Sequence, residues 1–144
     1  MTMHVVVSTY IDAPPDEVWS DVSEMASHAE WMADAESITF ASSTTSGVGT
    51  ILVVPTRVGP LVTEDWIIVT RWDEGEAIGV VHVGIVSGVG EFRLIPEGAG
   101  TRFVWEEDLT LPLSLGGRIG EVVAKPIVTA IWKGNLARLS RRFA

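Results

Sequence analysis

Residues 115–143 carry the one long helical pattern in this sequence. Polar residues recur there at steps of three and four, and a row of apolar and small residues runs out of phase with them. In a 3.6-residue helix these rows occupy opposite faces, which predicts one wet face and one buried face. The polar row is Arg118, Glu121, Lys125, Thr129 and Lys133, and the row predicted to be buried is Ile119, Val123, Ile127, Ala130, Gly134 and Ala137. Pro126 has no backbone N–H to donate, so it predicts a kink or a helix end nearby.

The rest of the chain consists mainly of β-branched and apolar runs separated by turn residues. The breaks between successive runs are short and rich in Gly, Pro, Asp and Ser, which predicts antiparallel neighbours. Between the first two strands the sequence predicts two short helices, one beginning at Pro14-Pro15 and one over residues 23–32. The predicted strands cover residues 4–11, 35–41, 50–58, 61–72, 77–86, 90–95 and 101–109.

Alternation within residues 61–72 and 101–109 indicates which side chains face the core. We expect the more charged face of each strand to meet solvent, and in residues 61–72 that face includes Asp65 and Arg71. The opposite faces then place Glu64 and Glu107 where charge is costly. The same assignment puts four aromatic residues inside, namely Trp66, Trp72, Phe103 and Trp105.

Composition favours one domain over residues 1–144. The 144-residue chain is 47% hydrophobic and 20% charged, which suits a globular protein with a substantial core. No apolar run approaches the roughly 18 residues of a membrane span, and the cytoplasm is the expected location. The chain has no cysteine, which excludes disulfides, thiol catalysis and thiolate metal sites.

Charge is distributed unevenly along the chain. The net charge is −9, yet 18 of the 19 acidic groups precede residue 118, whereas six of the ten Lys and Arg residues lie in residues 118–144. An acidic body argues against nucleic acid as a partner. The basic C-terminal helix either complements that acidic body, which we favour, or docks on a membrane surface.

Several short motifs, in order along the chain, resemble the START-like (SRPBCC) superfamily, and most closely its polyketide cyclase/dehydrase-like group. The resemblance covers nearly the whole sequence. Its motifs are Ala13-Pro14-Pro15-Asp16-Glu17-Val18-Trp19 after the first strand, Glu30-Trp31-Met32, Gly47-Val48-Gly49-Thr50, Arg71-Trp72-Asp73, and Gly98-Ala99-Gly100-Thr101-Arg102 with Trp105.

The resemblance implies an α+β helix-grip fold. In that fold about seven antiparallel strands form a curved sheet wrapped around the C-terminal helix, and an apolar cavity between them holds lipids, polyketides or similar molecules. Aromatase/cyclases of this superfamily have an inward tryptophan followed four residues later by an arginine. Trp66 fits the tryptophan, but Thr70 stands at the arginine position and Ala35 near an expected aromatic position. We therefore transfer no catalytic residue from the family.

Candidate acid/base chemistry falls on Glu64, Glu107 and His82. A buried carboxylate has a raised pKa and acts as a hydrogen-bond donor or a general acid, and we expect Glu107 to be unpaired and to orient the ligand. The alternative is that these groups lie near strand ends and reach water or an arginine. His4, His28 and His82 lack metal-ligand spacing, and no phosphate-binding loop or nucleophile elbow is present, so we expect no metal or cofactor.

These expectations give three candidate functions. The first is binding or transport of a lipophilic small molecule, the second is an aromatase, cyclase or dehydratase, and the third is a docking module that uses the basic helix. We expect a monomer or a homodimer. The predicted cavity lining is Met32, Leu52, Val54, Thr56, Glu64, Trp66, Ile68, Thr70, Phe92, Phe103, Trp105, Glu107, Val123, Ile127, Ala130 and Gly134.

Overall fold

Seven antiparallel strands form one sheet in the computed structural model, which describes residues 2–144. Their order across the sheet is β1-β7-β6-β5-β4-β3-β2, so all neighbours except β1 and β7 are consecutive in the chain. The strands are β1 (Met3–Ile11), β2 (Thr39–Phe40), β3 (Ile51–Val58), β4 (Leu61–Asp73), β5 (Ala77–Val83), β6 (Ser87–Glu97) and β7 (Gly100–Thr110). The predicted antiparallel sheet is confirmed.

Two helical segments lie between β1 and β2, as the sequence predicts. Helix α1 (Pro15–Val22) begins with proline at its first position and acidic residues in its first turn, which suits the positive end of the helix dipole. A 3₁₀ helix (Met25–Glu30) follows. A second 3₁₀ helix (Leu113–Leu115) precedes the long helix α2 (Gly117–Arg141), and Gly116 between them has φ +92°, a left-handed conformation that glycine adopts readily. This is the helix-grip arrangement that the resemblance implies.

Helix α2 presents a different face to the sheet from the one predicted. Its buried side chains are Glu121, Trp132, Asn135, Leu136 and Leu139, whereas Ile119 is 77% exposed. The prediction failed because apolar residues occur all around α2 and two polar residues on its buried face have partners. Glu121 Oε2, for example, accepts a hydrogen bond from the backbone N–H of Leu111 at 2.9 Å. The helix also continues through Pro126, so the expected helix end does not occur there.

A buried polar network holds the C-terminal half of α2 in place. Asn135 is fully buried and donates from Nδ2 to Asp34 Oδ1 at 2.8 Å, while its Oδ1 accepts from the backbone N–H of Ala33 at 2.9 Å. Trp132 Nε1 donates to the other Asp34 oxygen at 3.2 Å. A buried amide is costly unless its groups are paired, so this network fixes how α2 packs on residues 33–34.

The inward face of β4 is also the reverse of the prediction over most of its length. Val69 is buried, Asp65 points inward and Trp66 is 41% exposed on the outer face. A register shift between Val69 and Arg71 then restores the predicted alternation of inward and outward side chains. Trp72 therefore packs against the core, as predicted. The prediction failed because both faces of β4 carry apolar residues and one charge faces the interior, so the less charged face is not the buried one.

Aromatic side chains fill the space between β6, β7 and the helices. Trp105 stacks on Trp132 of α2 with ring centroids 4.2 Å apart. Trp31 contacts Phe92, Phe103 and Trp105 with tilted or edge-on geometry, which aromatic rings prefer. The inward placement predicted for Phe103 and Trp105 is thus correct.

The basic C-terminus contacts the acidic body. Arg142 pairs with Asp21 at 2.7 Å and with Glu30 at 3.4 Å, and Arg138 donates to the carbonyl of Trp31 at 3.1 Å. These contacts favour the interpretation that the basic residues complement the chain's own acidic groups. Within residues 2–144 no helix is both long enough and apolar enough to cross a membrane.

Candidate functional site

A cavity of about 400 Å³ lies between the concave face of the sheet and the N-terminal half of α2. This volume is within the range of small-molecule sites, roughly 300–1,000 Å³. Its walls are mainly apolar, including Leu52, Val54 and Ile78 from the sheet. Three apolar lining residues, Leu61, Val123 and Ile127, are themselves exposed, so the mouth lies between the β3–β4 turn and α2.

A three-residue ionic cluster, Asp65–His82–Glu107, lies at the cavity wall. His82 on β5 is 9% exposed and stands between Asp65 of β4 and Glu107 of β7. Its Nδ1 contacts Asp65 Oδ2 at 2.8 Å, and its Nε2 contacts Glu107 Oε1. Glu107 is 5% exposed, and its second oxygen accepts a hydrogen bond from Trp105 Nε1 at 2.9 Å. Both nitrogens of the imidazole are therefore engaged by carboxylates.

The contact between His82 and Glu107 spans a whole strand. β6 lies between β5 and β7, and it has glycine where the two side chains approach each other, with Gly88 opposite His82 and Gly90 opposite Glu107. A Cβ atom at Gly90 would lie 2.5 Å from Glu107 Cγ and 2.7 Å from Glu107 Cδ. A side chain at residue 90 would occupy the path of the carboxylate, so glycine at this position allows Glu107 to reach His82.

His82 is held in its protonated form. Burial, the largest single influence, would lower its pKa, but the charge of Glu107 and the hydrogen bonds to Asp65 and Glu107 outweigh burial and raise the pKa of His82 to about 10. At neutral pH both ring nitrogens then donate, one to each carboxylate. A protonated imidazole can give a proton to a ligand but cannot accept one.

One oxygen of the cluster has no protein partner. Asp65 Oδ1 is buried and accepts no hydrogen bond from the described residues, while Asp65 Oδ2 is bound to His82. Buried polar atoms are normally paired, so an unpaired carboxylate oxygen bordering a cavity is a natural acceptor for a ligand donor.

A second histidine, His28, also borders the cavity but is electrically neutral. Its Nε2 donates to the carbonyl of Val22 at 2.7 Å, which leaves Nδ1 as an acceptor. Burial lowers the pKa of His28 to about 4, despite the opposing effects of that hydrogen bond and of Asp21. Across the described part of the chain, no group of three or more His, Asp or Glu side chains is arranged to hold a metal ion.

The sequence and the fold match proteins that are already classified. Residues 2–144 match a family described as "Polyketide cyclase / dehydrase and lipid transport". The chain belongs to this family. The predicted membership of the START-like superfamily, in its polyketide cyclase/dehydrase group, is thereby confirmed. Among curated proteins, no sequence matches this one significantly.

Solved structures with the same fold share little sequence with this family member. A protein from Thermus thermophilus has a TM-score of 0.81 at 20% identity, covering 97% of this chain and 96% of that one. A START superfamily protein from Mycobacterium smegmatis has a TM-score of 0.80 at 14% identity, with the same coverage of 97% and 96%. The Zhui aromatase/cyclase from Streptomyces sp. R1128 has a TM-score of 0.76 at 18% identity, covering 100% of this chain and 97% of that one. The TM-scores show a shared fold, and at identities this low the likeness shows the fold alone.

Many residues predicted to line the cavity of this polyketide cyclase/dehydrase family member do border it. They are Met32, Leu52, Val54, Thr56, Glu64, Phe92, Trp105, Glu107, Val123 and Ile127. The catalytic candidate His82 also borders it. Glu64 is exposed and accepts a hydrogen bond from Trp66 Nε1 at 2.8 Å, so it is not the buried carboxylate that the sequence predicts.

The other predicted lining residues lie elsewhere. Trp66, Ile68 and Thr70 fall outside the cavity because β4 is inverted relative to the prediction, and Phe103 packs deeper in the core. Ala130 is exposed and Gly134 is half-buried, and neither lines the cavity. An added Cβ at Gly134 would meet only the guanidinium nitrogens of Arg138, at 3.7–3.8 Å.

Two features of the site escaped the sequence prediction. Asp65 was assigned to solvent by the inverted alternation of β4. Glu107 was expected to be unpaired, but it accepts hydrogen bonds from His82 and Trp105. The sequence does contain one signal, since His82 alternates in phase with the apolar Ile78 and Val80 of β5, whose side chains also line the cavity. The pairing itself depends on strand order, which no local pattern contains.

Proposed function

We propose that this protein binds a lipophilic small molecule in the cavity between the sheet and α2. The observation that supports the proposal is an apolar cavity of about 400 Å³ with one buried ionic cluster at its wall. Apolar walls supply affinity at about 25 cal/mol for each Å² removed from water, and a few buried polar groups fix the orientation. Family membership supports the same class of function, either lipophilic-ligand binding or polyketide cyclase-like chemistry.

The test is to fill the cavity from α2 and measure binding. N-Phenyl-1-naphthylamine, a neutral apolar dye, should bind the wild-type protein saturably with a rise in its fluorescence. Ala124→Phe places a ring on a lining position, whereas the control Ala130→Phe places the same ring on an exposed position of the same helix.

We expect Ala124→Phe to weaken dye binding at least tenfold, and Ala130→Phe to leave it unchanged. Added volume in a packed region costs about 1–3 kcal/mol, so thermal melts of both variants are needed to verify that they fold. Wild-type protein that binds no apolar probe, or a folded Ala124→Phe that binds the dye normally, would refute the proposal.

A second candidate function is dehydration of a β-hydroxy carbonyl compound, favoured by the protonated His82 beside the free oxygen of Asp65. Asp65 Oδ1 would take the proton next to the carbonyl and transfer it to the leaving hydroxyl, while the protonated His82 stays bound to Asp65 and Glu107 and holds the Asp65 carboxylate in place. The C–O bond breaks, a C=C bond forms and water departs. The proton removed from the substrate leaves with the hydroxyl as water, so Asp65 returns to its starting state and the cycle closes without an oxidant or reductant.

This reaction is tested with a 3-hydroxyacyl thioester by following the ultraviolet absorbance of the conjugated product. Turnover that is lost in His82→Gln while the substrate still binds would support catalysis. Glu106→Gln is the control, because Glu106 precedes Glu107 on β7 but pairs with Arg93 at 2.7 Å instead of bordering the cavity. Binding without turnover in the wild-type protein would leave ligand binding as the function.

A further inference from the structure

We propose that the cavity discriminates by charge: it accepts lipophilic molecules whose buried end is an uncharged or cationic hydrogen-bond donor, a hydroxyl or an ammonium group, and excludes carboxylates. This inference rests on the proposed binding function and names its ligand class. Three observations support it: the charges that line the cavity, the engagement of both His82 N–H groups by carboxylates, and the unpaired oxygen of Asp65.

The ionisable groups that line the cavity are almost all acidic. No Lys or Arg lines it among residues 2–144. Its carboxylates belong to Asp34, Glu64, Asp65, Glu91 and Glu107. The carboxylate of Glu91 is already neutralised by Arg71 and Arg93, at 2.9 and 2.7 Å.

The one cationic group in the cavity has no free donor for a ligand. The two ring N–H groups of His82 are directed at Asp65 and Glu107. An anionic ligand would have to displace one of these carboxylates and leave it unpaired in a buried site. Removing one partner of a buried ion pair leaves an uncompensated buried charge, so this exchange is unfavourable.

The polar atoms that remain free are acceptors. Asp65 Oδ1 has no partner, and the neutral His28 offers only Nδ1, because its Nε2 donates to Val22. Of the two lining threonines, Thr56 already donates its hydroxyl to the carbonyl of Val54 at 3.2 Å. The hydroxyl of Thr63 is the other threonine donor that could reach a ligand. One hydroxyl cannot replace the water molecules that hydrate the carboxylate of a ligand. The carboxylates that line the cavity would also repel a ligand carboxylate.

A matched ligand series tests the inference. Decan-1-ol, decylamine and sodium decanoate have the same chain and differ in the terminal group. Each is titrated at pH 7.5 against protein carrying N-phenyl-1-naphthylamine, and displacement of the dye gives its dissociation constant. We expect the alcohol, the amine or both to bind at least tenfold more tightly than decanoate, and their relative affinities show which donor the site prefers.

A conservative variant identifies the group responsible. Asp65→Asn keeps the shape of the side chain and removes its charge, so it should weaken the amine and reduce the preference over decanoate several-fold. Glu106→Gln removes the same charge from a residue outside the cavity and should leave the preference unchanged. If melting shows that Asp65→Asn is unfolded, Glu107→Gln replaces it with the same expected result.

The outcomes separate this inference from the proposed function. Decanoate that binds as tightly as the alcohol and the amine, or a preference that Asp65→Asn and Glu107→Gln both leave intact, would overturn the charge selection while ligand binding stands. Dye that is bound but displaced by none of the three would also overturn it. A wild-type protein that binds neither the dye nor any of the three ligands would instead refute the binding function itself.

Discussion

Glu107 reaches His82 across an intervening strand, over the position of Gly90. The carboxylate starts on β7, passes β6 and meets the imidazole on β5. This contact joins two residues that are 25 positions apart in the chain and brings Asp65 of β4 into the same cluster. The most polar part of the cavity therefore depends on the absence of a side chain at residue 90.

Gly90→Ala should break this contact without disturbing the backbone. The added methyl group would overlap Glu107 Cγ at 2.5 Å, so the carboxylate must move away from His82. We expect a loss of about 1–3 kcal/mol in the free energy of unfolding, the usual cost of overpacking, measured by urea denaturation. Displacement of the Glu107 carboxylate from the ring should also lower the pKa of His82, measured by NMR titration.

Gly134→Ala is the control for that substitution. Residue 134 lies within α2, where an added Cβ would make only ordinary contacts with the Arg138 guanidinium. Alanine favours the helix over glycine by about 0.5–1 kcal/mol, so this variant should be more stable than the wild type. A Gly90→Ala protein with unchanged stability and an unchanged His82 titration would show that glycine is not required there.

The stability of the protein should depend on the protonation of His82 at alkaline pH. Its pKa rises from 6.5 in the unfolded chain to about 10 in the fold, where Asp65 and Glu107 face the ring. The folded state therefore binds the proton more tightly. The stabilisation is fully present below pH 6.5 and is lost as the pH rises toward 10.

Melting temperatures measured between pH 6.5 and 10 test this dependence. We expect a progressive fall in the wild-type protein and a much shallower one in His82→Gln, which cannot be protonated. His82→Gln should also be less stable at pH 7, since the loss of a buried cation leaves two carboxylates uncompensated at a cost of about 3–5 kcal/mol. Parallel curves for the two proteins would contradict the assigned protonation state.

The sequence was sufficient to predict the fold because several independent signals agree. Turn residues delimit the strands, Pro14 and Pro15 mark the entry to α1, and motifs of the START-like superfamily recur in the expected order. Strand order follows from short antiparallel connections, apart from the pairing of β1 with β7. Each of these signals lies within a few consecutive residues, so it can be identified from a single sequence.

The side chains of the site were harder to predict. In β4 and α2, the sequence pattern of the element alone does not show which of its faces is buried. β4 has apolar side chains on both faces, including Trp66 outside and Ile67 inside, and its register shifts after Val69. In α2 the buried face includes Glu121 and Asn135, whose partners lie outside the helix, on Leu111 and Asp34. Burial of polar residues depends on those partners, and no periodicity identifies them.

Asn135→Ala should loosen α2 from the rest of the fold. The substitution leaves Asp34 Oδ1 without the Asn135 donor and the backbone N–H of Ala33 without its acceptor. Asn135 is fully buried, but Ala33 is exposed and Asp34 is half-buried, so each lost hydrogen bond costs about 0.5–1.5 kcal/mol and the total loss should exceed about 1 kcal/mol by urea denaturation. Lys133→Ala, an exposed position on the same helix, should change stability by less than about 0.5 kcal/mol. Equal stabilities for the two variants would show that the Asn135 network does not hold the helix.

Trp105 and Trp66 should respond differently to a bound ligand, although both were expected to face it. Trp105 lines the cavity and stacks on Trp132, whereas Trp66 lies on the outer face of the sheet, where it is 41% exposed. An aliphatic ligand such as decan-1-ol should change the intrinsic tryptophan fluorescence saturably. Trp105→Phe should reduce the amplitude of that change by at least half, with the remainder from Trp132. Trp66→Phe should lower the starting fluorescence but preserve the ligand-induced change. The opposite result, with the signal lost in Trp66→Phe and kept in Trp105→Phe, would place the ligand on the outer face of the sheet and refute the cavity as its site.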